Sequence, residues 1–244
     1  MNLHVLGCGD AFGSGGRNNS AYLFDAGDRL FLLDCGPTTL LAMKRAGIDP
    51  QRLDAIFLSH LHGDHYGGLP FFILEYLYET PRERPLHVAG PPGTENRVRD
   101  LFQFMFSDGA APRDLPAIQF HVLEPDQEAE IAGIHIDPFR VPHQVVDISL
   151  GLKLTYAGKT ILYSGDSAWT EVFIGKARGA DLFLLECCFF DRASPNHMSY
   201  RTLEQNLQRL ECKSLLLTHL GPEMLDRKSS LTVRTADDGM VLAI

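Results

Sequence analysis

The sequence predicts one α/β domain, residues 1–244, with mixed sheets and helices packed outside. Three observations predict it. Short apolar runs recur along the chain at lengths that suit buried or half-buried strands. Several are joined by tight turns, such as Asp25-Ala26-Gly27-Asp28 and Ala157-Gly158-Lys159, which read as antiparallel hairpins. Helix-like stretches sit between the others, with no Ser/Pro-rich linker and no repeat at a solenoid period.

In chain order, the strand candidates are Leu3–Leu6, Ala21–Phe24, Leu30–Leu33, Ala55–Leu58, Leu86–Ala89, Ile134–Ile136, Leu150–Thr155, Thr160–Tyr163, Leu182–Leu185 and Ser214–Thr218. The helix candidates are Thr38–Ala46, which ends at Gly47, and Gly68–Tyr78, which stops before Pro81. Gly93–Phe106 follows Pro91-Pro92, and Ser199–Leu210 opens on a capping serine. Phe102, Phe104 and Phe106 alternate along the third of these, so they cannot all share one face.

Hydrophobic residues make up 45% and charged residues 22%, which excludes a disordered or fibrous chain. Twenty-two Lys+Arg against 31 Asp+Glu leave a net charge of −9, a poor match to nonspecific nucleic-acid binding. The five cysteines, Cys8, Cys35, Cys187, Cys188 and Cys212, show no CxxC spacing and read as reduced thiols. Cys187-Cys188 is expected on a buried strand. No signal peptide and no membrane-spanning run is visible, so the expected location is cytoplasmic.

The strongest chemical signal is Ser59-His60-Leu61-His62-Gly63-Asp64-His65, directly after an apolar run. Imidazole and carboxylate together suit zinc, manganese or iron. His60 and His62 point the same way in extended backbone, and Gly63 can reverse the chain before Asp64 and His65. One pair then faces one metal and the other pair a second. Further ligand candidates, His143, Asp166 and His219, each follow a strand-like run, where one sheet edge would bring them together. His4, His87, His121 and His135 lie inside strand-like runs and read as structural or exposed.

With these motifs the chain resembles the metallo-β-lactamase superfamily of dinuclear metallohydrolases, in its ribonuclease Z-like and phosphodiesterase branch. The likeness runs from Leu6-Gly7-Cys8-Gly9 to Thr218-His219-Leu220 and rests chiefly on His60-x-His62-x-Asp64-His65. Pro85-Leu86-His87-Val88-Ala89-Gly90-Pro91, Ser164-Gly165-Asp166-Ser167 and His197-Met198-Ser199 are similar to that branch in particular. The resemblance implies a four-layer αββα sandwich with two divalent metals at one edge, zinc first and manganese or iron as alternatives. It implies that His60, His62 and His143 bind one metal, that Asp64, His65 and His219 bind the other, and that Asp166 bridges them. Asp34 would hold the ligand loop by hydrogen bonds. A water shared by the metals would attack as hydroxide, with Asp64 accepting a proton. His197 would protonate the leaving group, oriented by Glu186. Arg17 and Ser199 are the candidate substrate contacts. The resemblance allows a homodimer, which no residue pattern derives.

Gly7-Cys8-Gly9-Asp10-Ala11-Phe12-Gly13 lacks the following helix that a dinucleotide site needs and reads as a glycine loop bordering the active site. Only 23 positions separate His143 from Asp166, too few for the basic arm with which ribonuclease Z enzymes grip tRNA. With the acidic charge, this favours a small or cyclic phosphodiester, an anionic ester substrate, over tRNA. The alternatives are a carboxylic or sulfate ester, lactone or thioester hydrolase on the same site, or a ribonuclease Z-type tRNA 3′-endonuclease without the arm. A non-catalytic binding module would show a decayed ligand set. A flavodiiron-type enzyme would have carboxylates where His60 and His62 stand.

Overall fold

The computed structural model describes residues 1–106 and 118–244. Six strands precede the midpoint: β1 (Asn2–Gly7), β2 (Ala21–Asp25), β3 (Leu30–Leu33), β4 (Ala55–Phe57), β5 (Leu86–Gly90) and β6 (Ile118–Val122). Six more follow: β7 (Ala129–Ile131), β8 (Ile134–Arg140), β9 (Leu150–Tyr156), β10 (Lys159–Tyr163), β11 (Leu182–Glu186) and β12 (Leu215–Thr218). A last short strand is β13 (Val241–Ala243). The helices are α1 (Thr39–Arg45), α2 (Gly63–Tyr66), α3 (Leu69–Tyr78), α4 (Thr94–Phe106), α5 (Val172–Ala177), α6 (Tyr200–Asn206) and α7 (Pro222–Asp226).

The strands form two mixed sheets, in the orders β13-β1-β2-β3-β4-β5-β6 and β12-β11-β10-β9-β8-β7. Each sheet joins an antiparallel half to a parallel half. In the first, β13 through β3 pair antiparallel and β3 through β6 parallel. In the second, β7 through β10 pair antiparallel and β10 through β12 parallel.

Side-chain alternation explains the layers. Along β3, Phe31 and Leu33 enter the cluster between the sheets, while Leu30 and Leu32 face the helices. Along β10, Ile161 and Tyr163 face inward and Leu162 faces outward. Both faces of these strands are covered, so they read in sequence as continuous apolar runs. The outer face of the first sheet packs against α1, α3 and α4 through Met43, Phe72, Ile73 and Val98. The outer face of the second packs against α5, α6 and α7 through Phe173, Leu203 and Met224. The expected αββα layering is therefore observed.

All ten expected strands and four expected helices are present, some with shifted ends. Cys187 and Cys188 are buried but lie just past the end of β11, not on it. Of the three alternating phenylalanines, Phe102 is buried, whereas Phe104 is 89% exposed and Phe106 37% exposed. No helix among the described residues is long and apolar enough to cross a membrane.

Phe31 anchors the inter-sheet core, with its ring centroid 5.2 Å from Phe24, 6.1 Å from Phe57 and 6.5 Å from Tyr156. Its truncation leaves a cavity bounded by both sheets. Phe31→Ala is expected to cost about 3–5 kcal/mol of stability in urea unfolding; a loss below about 1 kcal/mol would show that the sheets collapse onto the gap.

Candidate metal centre

The site forms where the two sheets meet at one edge. From the first sheet, β4 ends at Phe57 and the chain runs on through Ser59, His60 and His62 into the single turn of α2. His62 has extended backbone, and Asp64 and His65 lie on that turn. Gly63 therefore opens a helical turn; it does not reverse the chain through left-handed backbone, since its φ is not positive. From the second sheet, His143 follows β8, Asp166 follows β10 and His219 follows β12.

Seven side chains converge. One ligand atom from each of His60, His62 and His143 lies within 4.8 Å of the others, and the same holds for Asp64, His65, Asp166 and His219. Asp166 stands between the two groups. Its Oδ1 is 3.3 Å from His65 Nε2, and its Oδ2 is 3.4 Å from His219 Nε2 and 3.9 Å from the Nε2 atoms of His60 and His143. Asp64 Oδ2 is 3.1 Å from His65 Nε2 and 3.4 Å from His219 Nε2. The seven residues expected as ligands thus lie together as a group of three and a group of four, and two further groups overlap them: Cys188 with His197 and His219, and His143 with Asp166 and His197.

Neighbouring residues fix the imidazoles. His65 Nδ1 donates to Asp34 Oδ2 at 2.7 Å, and His143 Nδ1 donates to the Asn196 carbonyl at 2.8 Å. His60 Nδ1 donates to Ser59 Oγ at 3.0 Å, whose own proton goes to Asp34 Oδ2 at 2.8 Å. With Nδ1–H committed outward, Nε2 is the nitrogen each ring turns into the cluster, the atom a cation would take in place of any proton there. His60 Nε2, His65 Nε2 and Asp166 Oδ1 are buried and without hydrogen-bond partners. Such orphans cost roughly 1–3 kcal/mol each unless something fills the space between them. Divalent cations fit that donor set of imidazole nitrogens and carboxylate oxygens.

The electrostatics agree. Burial works against the Asp166 carboxylate, but His219, His65 and His60 together hold it well below the usual carboxylate range. Burial likewise opposes charge on Asp64, and His65 and His219 overcome it, so its carboxyl is also held low. The same pairings push His65 up and His219 up to about 9, so carboxylates and imidazoles hold one another charged in the absence of a cation.

Asp34 sits as expected, fully buried and bonded to the ligand loop through Ser59 N at 2.8 Å as well as through Ser59 Oγ and His65. Glu186 accepts from His197 Nδ1 at 2.9 Å, leaving Nε2 as the free nitrogen of a ring that lines the cleft. The same Oε1 accepts from Ser167 N at 2.6 Å, so Glu186 also anchors the turn that carries Asp166. Burial and the nearby Asp166 push the Glu186 carboxyl up. Burial pulls His197 down, against the pull of Asp166.

Two expected substrate contacts are placed elsewhere. Arg17 is ion-paired to Asp237, which Lys228 also binds, and does not line the cleft. The Ser199 hydroxyl accepts from Thr202 N at 3.3 Å and caps α6. An ion pair near the C-terminus and a helix cap account for the two side chains. The glycine loop does border the cleft, through Asp10, Ala11 and Phe12. Sequence reasoning misses Tyr163, which donates to Asp34 at 2.6 Å, and the Asn196 carbonyl. A tyrosine inside an apolar strand gives no polar signal, and a main-chain acceptor leaves none in any sequence.

Two of the five non-glycine residues with positive φ among the described residues lie here. Asp34 and His219 have φ of 57° and 55°, a region non-glycine residues seldom adopt. Gly165, with φ 57°, precedes Asp166, and a Cβ there would come within 2.7 Å of Ser59 Cβ. Gly165→Ala is expected to lower both thermal stability and bound metal, read by differential scanning calorimetry and elemental analysis. Unchanged metal content would show that the Asp166 turn tolerates the shift. Asp34→Asn, which removes the charge facing His65, is expected to weaken metal affinity about 10–100-fold in chelator competition. Wild-type affinity would contradict the role given to Asp34.

Comparison with known proteins agrees with the fold and places the chain. The family model described as Anti-Pycsar protein Apyc1 matches residues 1–238. The probable metallo-hydrolase YhfI of Bacillus subtilis is 29% identical over 90% of this chain and 87% of its own. The crystal structure of YhfI, a metallo-beta-lactamase fold protein, superposes with a TM-score of 0.79 over 99% of each chain at 24% identity. The anti-Pycsar protein Apyc1 of a Paenibacillus species is 30% identical over 68% of this chain and 66% of its own. The short form of human tRNase Z shares the fold, with a TM-score of 0.81 and 22% identity over 100% of this chain and 99% of its own. The chain belongs to the Anti-Pycsar protein Apyc1 family, has the metallo-β-lactamase fold and is a metal-dependent hydrolase.

Proposed function

We propose that the chain hydrolyses small or cyclic phosphodiesters at the cleft above the histidine–aspartate cluster. The observation that carries this reading is His197, a half-buried imidazole oriented by Glu186 and packed against both ligand groups. Its ring centroid is 4.8 Å from that of His143 and 5.8 Å from that of His219. A phosphodiester with an alkoxide leaving group needs a proton donor at that place, and an easier leaving group does not.

In this reading His60, His62 and His143 would hold one divalent cation and Asp64, His65 and His219 a second, with the Asp166 carboxylate standing between the two groups. Zinc is the first candidate, with manganese or iron as alternatives. When bound, the pair of cations acidifies a water for attack and neutralises charge on the phosphoryl oxygens. Asp64, an ionised carboxylate lining the cleft, would orient that water and pass its proton on to solvent. His197 Nε2 gives a proton to the departing oxygen, while Glu186 accepts from Nδ1 and holds the ring through both protonation states.

The size of the site supports a small substrate. The cleft encloses about 630 Å³, within the range for small-molecule sites. Its mouth carries Phe12, 90% exposed, and Phe189, with the Arg192 guanidinium 4.4 Å from the Phe189 ring centroid. Those groups suit a planar base joined to an anionic phosphate. The interval between His143 and Asp166 is occupied mainly by the β9–β10 hairpin, with no arm for tRNA.

The test compares wild type, Asp166→Ala and His197→Ala on bis(p-nitrophenyl) phosphate and on a cyclic nucleotide. Asp166→Ala is expected to lose turnover on both. His197→Ala is expected to lose about 10²–10⁴-fold on the cyclic nucleotide and far less on the nitrophenyl ester, whose leaving group needs no proton. Equal losses on both substrates would remove His197 as the acid. Turnover confined to lactones or carboxylic esters would replace the phosphodiester reading. Stripping the wild type with a chelator is expected to abolish activity, and zinc or manganese to restore it.

A further inference from the structure

The seven clustered side chains come from two different sheets, so the site exists only while the sheets hold one register at that edge. Two buried tyrosines cross the interface there in opposite directions. Tyr163, on β10 of the second sheet, donates to Asp34 Oδ2 just after β3 of the first, at 2.6 Å. Tyr22, on β2 of the first sheet, shares a short hydrogen bond with Thr218 Oγ1 at the end of β12 in the second. Their rings touch, with centroids 5.4 Å apart and planes at 57°. Both side chains are essentially without solvent exposure.

Each hydroxyl ends one step from a clustered histidine. Asp34 accepts directly from His65 Nδ1, and Thr218 precedes His219 in the chain. His65 and His219 share a group with Asp64 and Asp166, and their rings stack at 5.4 Å. Burying two phenols in an apolar core costs stability unless each hydroxyl finds a partner, and phenylalanine would fill the same space with no polar atom. Both hydroxyls here make cross-sheet bonds at the edge that carries the cluster.

We propose that Tyr22 and Tyr163 are positioning residues, a reciprocal cross-brace between the sheets that sets His65 and His219 at cation-binding distance. The inference rests on the reading of the cluster as a two-cation site. Burial, and for Tyr163 the Asp34 charge, push both phenols above their ordinary range, so both stay protonated and able to donate.

The test uses Tyr163→Phe, Tyr22→Phe and Thr218→Val, the last of which removes the partner of Tyr22 without touching either ring. Three quantities are read: the melting temperature of the metal-free protein, the affinity for each of two Zn²⁺ ions by chelator competition, and the visible spectrum of the Co²⁺-loaded protein. The brace predicts metal-free melting temperatures within a few degrees of wild type. It predicts affinity for one of the two ions reduced about 10–100-fold, with an altered Co²⁺ spectrum. It also predicts that Tyr22→Phe combined with Thr218→Val weakens binding no more than either alone. Wild-type affinities and spectra in all three variants overturn it. So does an affinity loss that merely tracks a fall in metal-free stability. A wild-type protein that binds no second ion would instead overturn the two-cation reading itself.

Discussion

The Asp34 carboxylate, buried at the seam between the two sheets, is the interaction on which the site depends. A charge without solvent contact survives in an apolar interior only when donors surround it. Asp34 has four: Ser59 N, Ser59 Oγ, His65 Nδ1 and Tyr163 Oη. Two of these bonds lock the start of the histidine-bearing loop, one orients the His65 ring, and one reaches across from the opposite sheet. Strained backbone at Asp34 itself accompanies the aiming of one carboxylate at all of them.

A similar arrangement recurs on the other side of the cleft. Glu186 bonds Ser167 beside Asp166 and His197 at the mouth, so one buried acid sets both a clustered carboxylate and the candidate proton donor. The Asn196 carbonyl, one residue from His197, fixes His143. The candidate acid and a clustered histidine are thus positioned by one loop. Packing explains why this holds still: the strands that end at these residues are covered on both faces.

Much of this is legible in the sequence because its signals are dense. Four ligand-type residues within six positions after an apolar run seldom arise in an ordinary surface loop, and His143, Asp166 and His219 share the same strand-end setting. The central strands are legible because burial on both faces makes them uniformly apolar. The edges are not: β7 and β13 have three residues each, and β6 is partly exposed, so none carries a strong pattern. The one-turn α2 and the short α5 and α7 fall below the length at which helical periodicity shows. Arg17 shows the limit for side-chain direction, since its pairing with Asp237 joins residues 220 positions apart. Tyr163 shows it for polar roles, since an apolar run conceals a hydroxyl.

Two sheets jointly building one histidine–aspartate cluster around Asp166 is the feature from which the proposed two-cation chemistry follows. A crystal structure of zinc-loaded protein tests it, with anomalous differences measured on both sides of the zinc absorption edge. Two peaks per chain are expected, about 3.5–4 Å apart. One would lie among His60, His62 and His143 and the other among Asp64, His65 and His219, with an Asp166 oxygen near both. A single peak, or zinc bound away from Asp166 in protein that still turns over substrate, would contradict it.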